Sequence, residues 1–133
     1  MNVELVPRFT VDDAELSALH ARAFGNDPAE IQPWSERLHR HALTWLGAFA
    51  GDRLTGFVYV AWDGGTHAFL LDPVVDPAHR HQGLGTALVK AAADAARAAG
   101  CTWLHVDFEP HLKPFYLEEC GFRATAAGLL RLP

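Results

Sequence analysis

Residues 76–100 read DPAHRHQGLGTALVKAAADAARAAG: a tight turn, two glycines one residue apart and a long alanine-rich helix. Asp76-Pro77 suits the first two positions of a type I turn, because proline pre-sets the backbone angle and aspartate accepts from backbone donors ahead of it. Leu84, Ala87, Leu88, Ala91, Ala92 and Ala95 form one apolar face, and Thr86, Lys90, Asp94 and Arg97 a polar stripe. Such a helix is amphipathic and slim enough to lie close to a sheet. Its first turn leaves backbone N–H groups without intrahelical partners and carries about half a positive charge. No carboxylate stands between Asp76 and Asp94, and the turn instead follows His79, Arg80 and His81. A bound anion would satisfy those donors, and the glycines let a phosphate approach the backbone. A plain helix start solvated by water is the alternative.

The motif narrows the phosphate ligand. A nucleoside-triphosphate loop needs Lys and then Ser or Thr after its last glycine, where this chain has Thr86-Ala87. A dinucleotide fingerprint needs a third glycine inside a βαβ unit; Asp107 lies at about the right distance, but that glycine is missing and antiparallel strands come first.

Working outward, Val3 to Val6 reads as a short strand ended by Pro7, and Thr10, Asp12, Asp13 and Glu15 supply capping chemistry for a helix running to about Phe24. Gly25 to Pro33 reads as a loop and Ser35 to His41 as a short helix. Thr44–Ala50 and Leu54–Trp62 are strands joined by a Gly51-Asp52 turn, and a third strand spans about Thr66 to Val75. Pro73, with no N–H, marks a place for a bulge or a strand end. Gly100 is placed to stop the long helix. Thr102–Phe108 then reads as a strand, Pro110–Cys120 as a short helix and Phe122–Leu132 as a final strand. The order β, α, α, β, β, β, α, β, α, β predicts an α+β sheet with helices over its faces.

At 133 residues the chain has the size of one domain, 1–133, and its 50% apolar and 20% charged composition is that of a folded protein. A formal net charge of −5 disfavours nucleic acid, which demands clustered Lys and Arg. There is no signal-peptide pattern and no apolar run of membrane-spanning length, so a cytoplasmic protein away from membranes is expected. Cys101 and Cys120 are too few for a disulfide framework and read as reduced thiols. His39-Arg40-His41 and His79-Arg80-His81 lack a third ligand at a helpful spacing, so no metal is expected.

Arg80-His81-Gln82-Gly83-Leu84-Gly85 matches the acetyl-CoA motif of the GCN5-related N-acetyltransferases (GNAT): Arg or Gln, two residues, Gly, one residue, then Gly or Ala. The resemblance covers most of the chain, since the strand ending in Val75-Asp76-Pro77, the following strand, Phe115-Tyr116 and Gly121-Phe122 sit in family order. It implies a GNAT-like acyl-CoA N-acyltransferase fold: a mixed, mostly antiparallel sheet, helices on both faces, and a splay between the two central strands where the pantetheine arm lies. Carried over, Val74 and Val75 bond that arm, backbone N–H groups of His81, Gln82, Gly83, Leu84, Gly85 and Thr86 hold the pyrophosphate, and Arg80 pairs with phosphate or braces the loop. The implied activity is acetyl transfer from acetyl-CoA, a cosubstrate, to a primary amine of a small molecule or peptide by direct attack in a ternary complex. A coenzyme-A-binding sensor or partner module without turnover is the alternative, and use of a longer acyl-CoA a third. Members often dimerise, so a homodimer is possible on the same resemblance.

The chemistry needs a proton for the departing thiolate, and the resemblance gives that role to Tyr116. The family usually has three residues between this tyrosine and Gly-Phe, whereas Leu117–Cys120 makes four. One extra helical residue turns a side chain by about 100°. Either the loop absorbs it, or Leu117 takes the tyrosine's place. Glu109 stands where the family often has asparagine and is a candidate base for the amine, or else a solvated carboxylate. Asp107, His105, His67 and Asp72 are rival bases. Trp34, Tyr59 and Trp62 line an acceptor pocket or belong to the core. Cys120 is a rival nucleophile with no histidine beside it in sequence.

Overall fold

The computed structural model describes residues 2–25 and 30–133. Residues 26–29, within the loop expected between the first two helices, lie outside them. Five strands form one sheet in the order β1-β2-β3-β4-β5: β1 Glu4–Pro7, β2 Ala42–Ala50, β3 Arg53–Trp62, β4 His67–Val75 and β5 Trp103–His105. The first four are antiparallel, and β4 and β5 run parallel. Helices α1 (Asp13–Phe24) and α2 (Trp34–His41) cover one face, and α3 (Leu84–Ala98) the other.

Strand alternation sorts the two cores. Ala48, Val58, Val60, Ala68 and Leu70 meet Leu84, Leu88, Val89, Ala92 and Ala96 of α3. Trp45, Leu54, Phe57 and Val74 meet Leu16 and Leu19 of α1 and Trp34 and Leu38 of α2. Gly56 sets how near α3 lies, because a Cβ there would stand 3.0 Å from Leu88 Cδ1 and 3.2 Å from the Ala48 Cβ.

Two irregularities in the sheet make room for a site. Parallel pairing of β4 with the edge strand β5 ends at Phe69↔His105, while β4 runs on to Val75, so these two strands part there. The register between β3 and β4 also shifts, from Phe57↔Val74 to Tyr59↔Leu71, leaving Asp72 and Pro73 opposite Val58. The bulge falls where Pro73 has no N–H for the ladder, and Asp72 takes a left-handed φ of 50°.

Three elements near the C-terminus depart from expectation. The strand expected over Thr102–Phe108 is formed only at Trp103–His105. The helix expected over Pro110–Cys120 divides into a 3₁₀ turn, Pro110–Leu112, and a π-helix, Pro114–Glu119. The strand expected over Phe122–Leu132 does not form, and Leu129, Leu130 and Leu132 are exposed. Its centre, Ala124-Thr125-Ala126-Ala127-Gly128, has low β propensity and little side chain to pack, and the tail has no partner strand to satisfy its backbone.

Candidate active site

The turn into α3 begins at Asp76, whose side chain is 5% exposed. Its carboxylate accepts from the Ala78 N–H (3.0 Å), Arg22 (3.0 Å) and Arg53 (3.3 Å). Burial pushes this carboxyl up, but the Ala78 N–H and the two guanidinium groups outweigh it and hold it below the usual carboxylate range. Asp76 is therefore fully engaged behind the turn, and it does not cap α3. The residue at the N-cap is Gly83, with φ 76° and no side-chain hydrogen bond, and the first turn of α3 has no acidic residue.

That end of α3 opens into a cleft of about 440 Å³. Gly83, Leu84, Gly85 and Thr86 line it from the helix, and Pro73, Val74 and Val75 from the parted strand. His79, Arg80 and His81 line its rim; the Arg80 guanidinium also donates to the Ala23 carbonyl (2.8 Å) and so ties the turn to the end of α1. Among the expected coenzyme contacts only Gln82 is not in the lining; it is exposed. Gly83 has the open space a phosphate requires, with nothing within 4 Å of where a Cβ would stand. At Gly85 a Cβ would press on the Phe115 ring at 3.3 Å, so glycine lets the helix start and the π-helix sit close together. The buried His79 Nδ1 has no hydrogen-bond partner among the described residues. Uncapped N–H groups, the Arg80 guanidinium at the rim and an orphaned ring nitrogen together fit a pyrophosphate.

The far wall of the cleft carries Leu112, Phe115, Tyr116 and Glu119. Here the chain forms a π-helix, Pro114–Glu119, with the Cys120 N–H donating to the Phe115 carbonyl five residues back (2.9 Å), and Tyr116 lines the cleft. Tyr116 is 4% exposed, stacked on Phe108 and edge-on to Phe115. Burial, with a smaller push from Cys120, raises its hydroxyl to about 12, so it remains a proton donor at neutral pH. Cys120 lines neither the cleft nor the cavity described next, and burial followed by the charge of Glu119 pushes its thiol up, away from nucleophile chemistry.

A second cavity, about 340 Å³, lies between α1, α2 and β4, lined by Ser17, His20, Ala21, Glu30, Gln32, Trp34, Arg37 and Asp72. Asp72 faces His20 Nε2 at 3.4 Å. Asp72 lines this cavity and its neighbour Pro73 the cleft, so the bulge contributes to both. The other candidate bases stand elsewhere. Glu109 is exposed at the start of the 3₁₀ turn, Asp107 is exposed, and His67 Nδ1 bonds His105 Nε2 (2.8 Å) away from both openings. Trp34 lines the second cavity while packing on Phe57 and Tyr59, whereas Trp62 is exposed. Sequence reasoning did not single out His20 or Arg37. Each reaches the cavity from a different helix, and no local motif marks either one.

A parted sheet beside an uncapped, glycine-led helix makes a cleft whose chemistry fits an anion. The family model for the acetyltransferase (GNAT) family matches residues 11–122, and the chain belongs to that family. It is 35% identical over 106 residues to a mycothiol acetyltransferase of Clavibacter michiganensis, covering 69% of this chain and 33% of that protein. It is 43% identical over 53 residues to a glucosamine 6-phosphate N-acetyltransferase of Trypanosoma brucei brucei, covering 40% of this chain and 35% of that one. The chain thus spans about a third of the length of these curated relatives. Among solved structures, the glucosamine-6-phosphate N-acetyltransferase of Arabidopsis thaliana superposes with a TM-score of 0.80 at 14% identity, covering 99% of each chain. An aminoglycoside acetyltransferase, AAC(6')-Iy, solved with a bisubstrate analogue of coenzyme A, superposes with a TM-score of 0.79 at 16% identity, covering 100% of this chain and 99% of that one. At these identities the likeness is one of fold.

Proposed function

We propose that the protein transfers an acetyl group from acetyl-CoA to a primary amine of a small molecule or peptide, by direct attack of the amine. The observation that carries this is the uncapped start of α3 opening into the cleft that Val74, Val75 and Tyr116 share. Backbone N–H groups of Gly83 to Thr86 hold the pyrophosphate, and the free edge of β4 at Val74 and Val75 takes the pantetheine arm. When bound, acetyl-CoA supplies an acetyl thioester. Tyr116 then gives its proton to the sulfur as the C–S bond breaks and recovers one from the nitrogen that has formed the new C–N bond. The amine enters through the second cavity, where Asp72 directly precedes the cleft-lining Pro73 in the chain. The relatives named for glucosamine 6-phosphate favour a small amine acceptor, which this cavity would meet with Arg37, Glu30 and Asp72. Metal plays no part in this scheme.

The test is release of free thiol from acetyl-CoA across a panel of amines. Thiol that appears only with an acceptor is the expected result. Coenzyme binding without any acceptor-dependent thiol would favour a binding module without turnover.

A further inference from the structure

The acetyltransferase reading leaves one step without a residue: a primary amine is an ammonium at neutral pH, and it must lose a proton before it can attack. Two side chains in the second cavity are built for that loss. His20, on α1, and Asp72, on β4, are 52 residues apart in sequence and meet at 3.4 Å, both partly buried. The His20 ring packs on Phe24 at 4.7 Å and Trp34 at 5.5 Å between centroids. Asp72 keeps a left-handed backbone, with φ 50°. Such conformations survive where the surroundings fix them, and they gather at functional sites. Here the bulge aims Asp72 at α1 while Pro73, one residue on, lines the coenzyme cleft.

We propose that His20, oriented by Asp72, is the base that deprotonates the acceptor amine. This rests on the acetyltransferase reading above. Asp72 accepts the Nε2–H of the imidazole and so keeps Nδ1 unprotonated, as a carboxylate does for a catalytic histidine. The ammonium gives one N–H proton to His20 Nδ1 and becomes a neutral amine. Its lone pair forms the C–N bond while the C–S electron pair leaves with sulfur, sulfur takes the proton of Tyr116, and Tyr116 takes the second proton of the acetylated nitrogen. His20 then returns its proton to water, which closes the balance. Among the described residues, the other charged groups lining this cavity are Arg37 from α2 and Glu30 from the segment before it. Tyr59 of β3 stays neutral, since burial, and then the charge of Asp72, raises its hydroxyl against a smaller opposing effect of Arg37.

The experiment compares wild type, His20→Gln and Asp72→Asn on amines of graded basicity, from alkyl amines to weakly basic aryl amines that are already neutral at pH 7. Asparagine adopts the left-handed backbone readily, so Asp72→Asn keeps the bulge, and unchanged coenzyme A affinity and melting temperature show that each variant is folded. For wild type, kcat/KM on alkyl amines falls tenfold per pH unit on the acid side. His20→Gln loses about 100-fold on alkyl amines, within the usual span of general-base catalysis, but only a few-fold on the weakly basic ones, and the part of the acid limb due to the base vanishes. Asp72→Asn shows the same selective loss at smaller size. Equal loss on both amine classes means a structural role and overturns the proposal, as does no loss. If wild type binds coenzyme yet acetylates no amine, the acetyltransferase reading itself fails and the base falls with it.

Discussion

Helices α1 and α3 begin with the same physical debt, unpartnered N–H groups and a positive dipole end, and they settle it in opposite ways. At α1, Asp12 caps the helix by accepting from the Glu15 N–H (3.1 Å), and Asp13 and Glu15 add negative charge to the first turn. At α3 the cap is Gly83, no side chain accepts, the first turn carries no acid, and Asp76 is held by Arg22 and Arg53. The first helix is complete within the chain; the second, we propose, is completed by a ligand. A helix start with no anion of its own, in a cleft with Arg80 at its rim, suits an external anion.

Placing an anion of the chain's own at α3 should break this contrast most severely. Gly83→Asp is expected to weaken coenzyme A binding by more than about 100-fold in a calorimetric titration, since juxtaposed like charges cost several kcal/mol. Gly83→Ala shares the cost of a side chain at positive φ but adds no charge, so the gap between the two variants isolates the clash with phosphate. Next in size, Tyr116→Phe should lower kcat by about 100-fold and leave coenzyme affinity unchanged, because the lost group moves a proton and does not hold the ligand. Steady-state kinetics beside a binding titration separates the two quantities.

Smaller effects should fall on stability. Asp76→Asn leaves two guanidinium groups facing a neutral amide and should cost about 2–3 kcal/mol in a denaturant titration. Because folding depresses the Asp76 carboxyl, its contribution is present above the unfolded carboxylate range and is lost as pH falls below about 4 through the folded value. The stability difference between wild type and variant should therefore shrink in acid. Asp12→Ala should cost about 1 kcal/mol and leave coenzyme affinity untouched, which is the mirror image of the expectation at α3.

What was legible in the chain was what is local. Asp12, Asp13 and Glu15 announce the start of α1, Pro73 announces the bulge, and the glycine turn announces α3, because capping, a missing N–H and helix periodicity act over a few residues. The consequence of four residues between Tyr116 and Gly121 was not legible, since a π-turn and a displaced side chain have the same sequence. Nor was the approach of His20 to Asp72, which depends on how α1 docks across a bulge 52 residues away. The tail beyond Gly121 misled for a related reason: a strand needs a partner edge, and apolar letters alone do not supply one.

The central claim is that the N–H groups at the start of α3 receive the coenzyme's pyrophosphate. Backbone amide shifts of Gly83, Leu84, Gly85 and Thr86, followed by NMR during titration with coenzyme A and separately with pantetheine, which lacks the pyrophosphate, test it most directly. Large shifts in these four amides with coenzyme A, absent with pantetheine, are the predicted result; equal shifts with both, or none with coenzyme A, would contradict it.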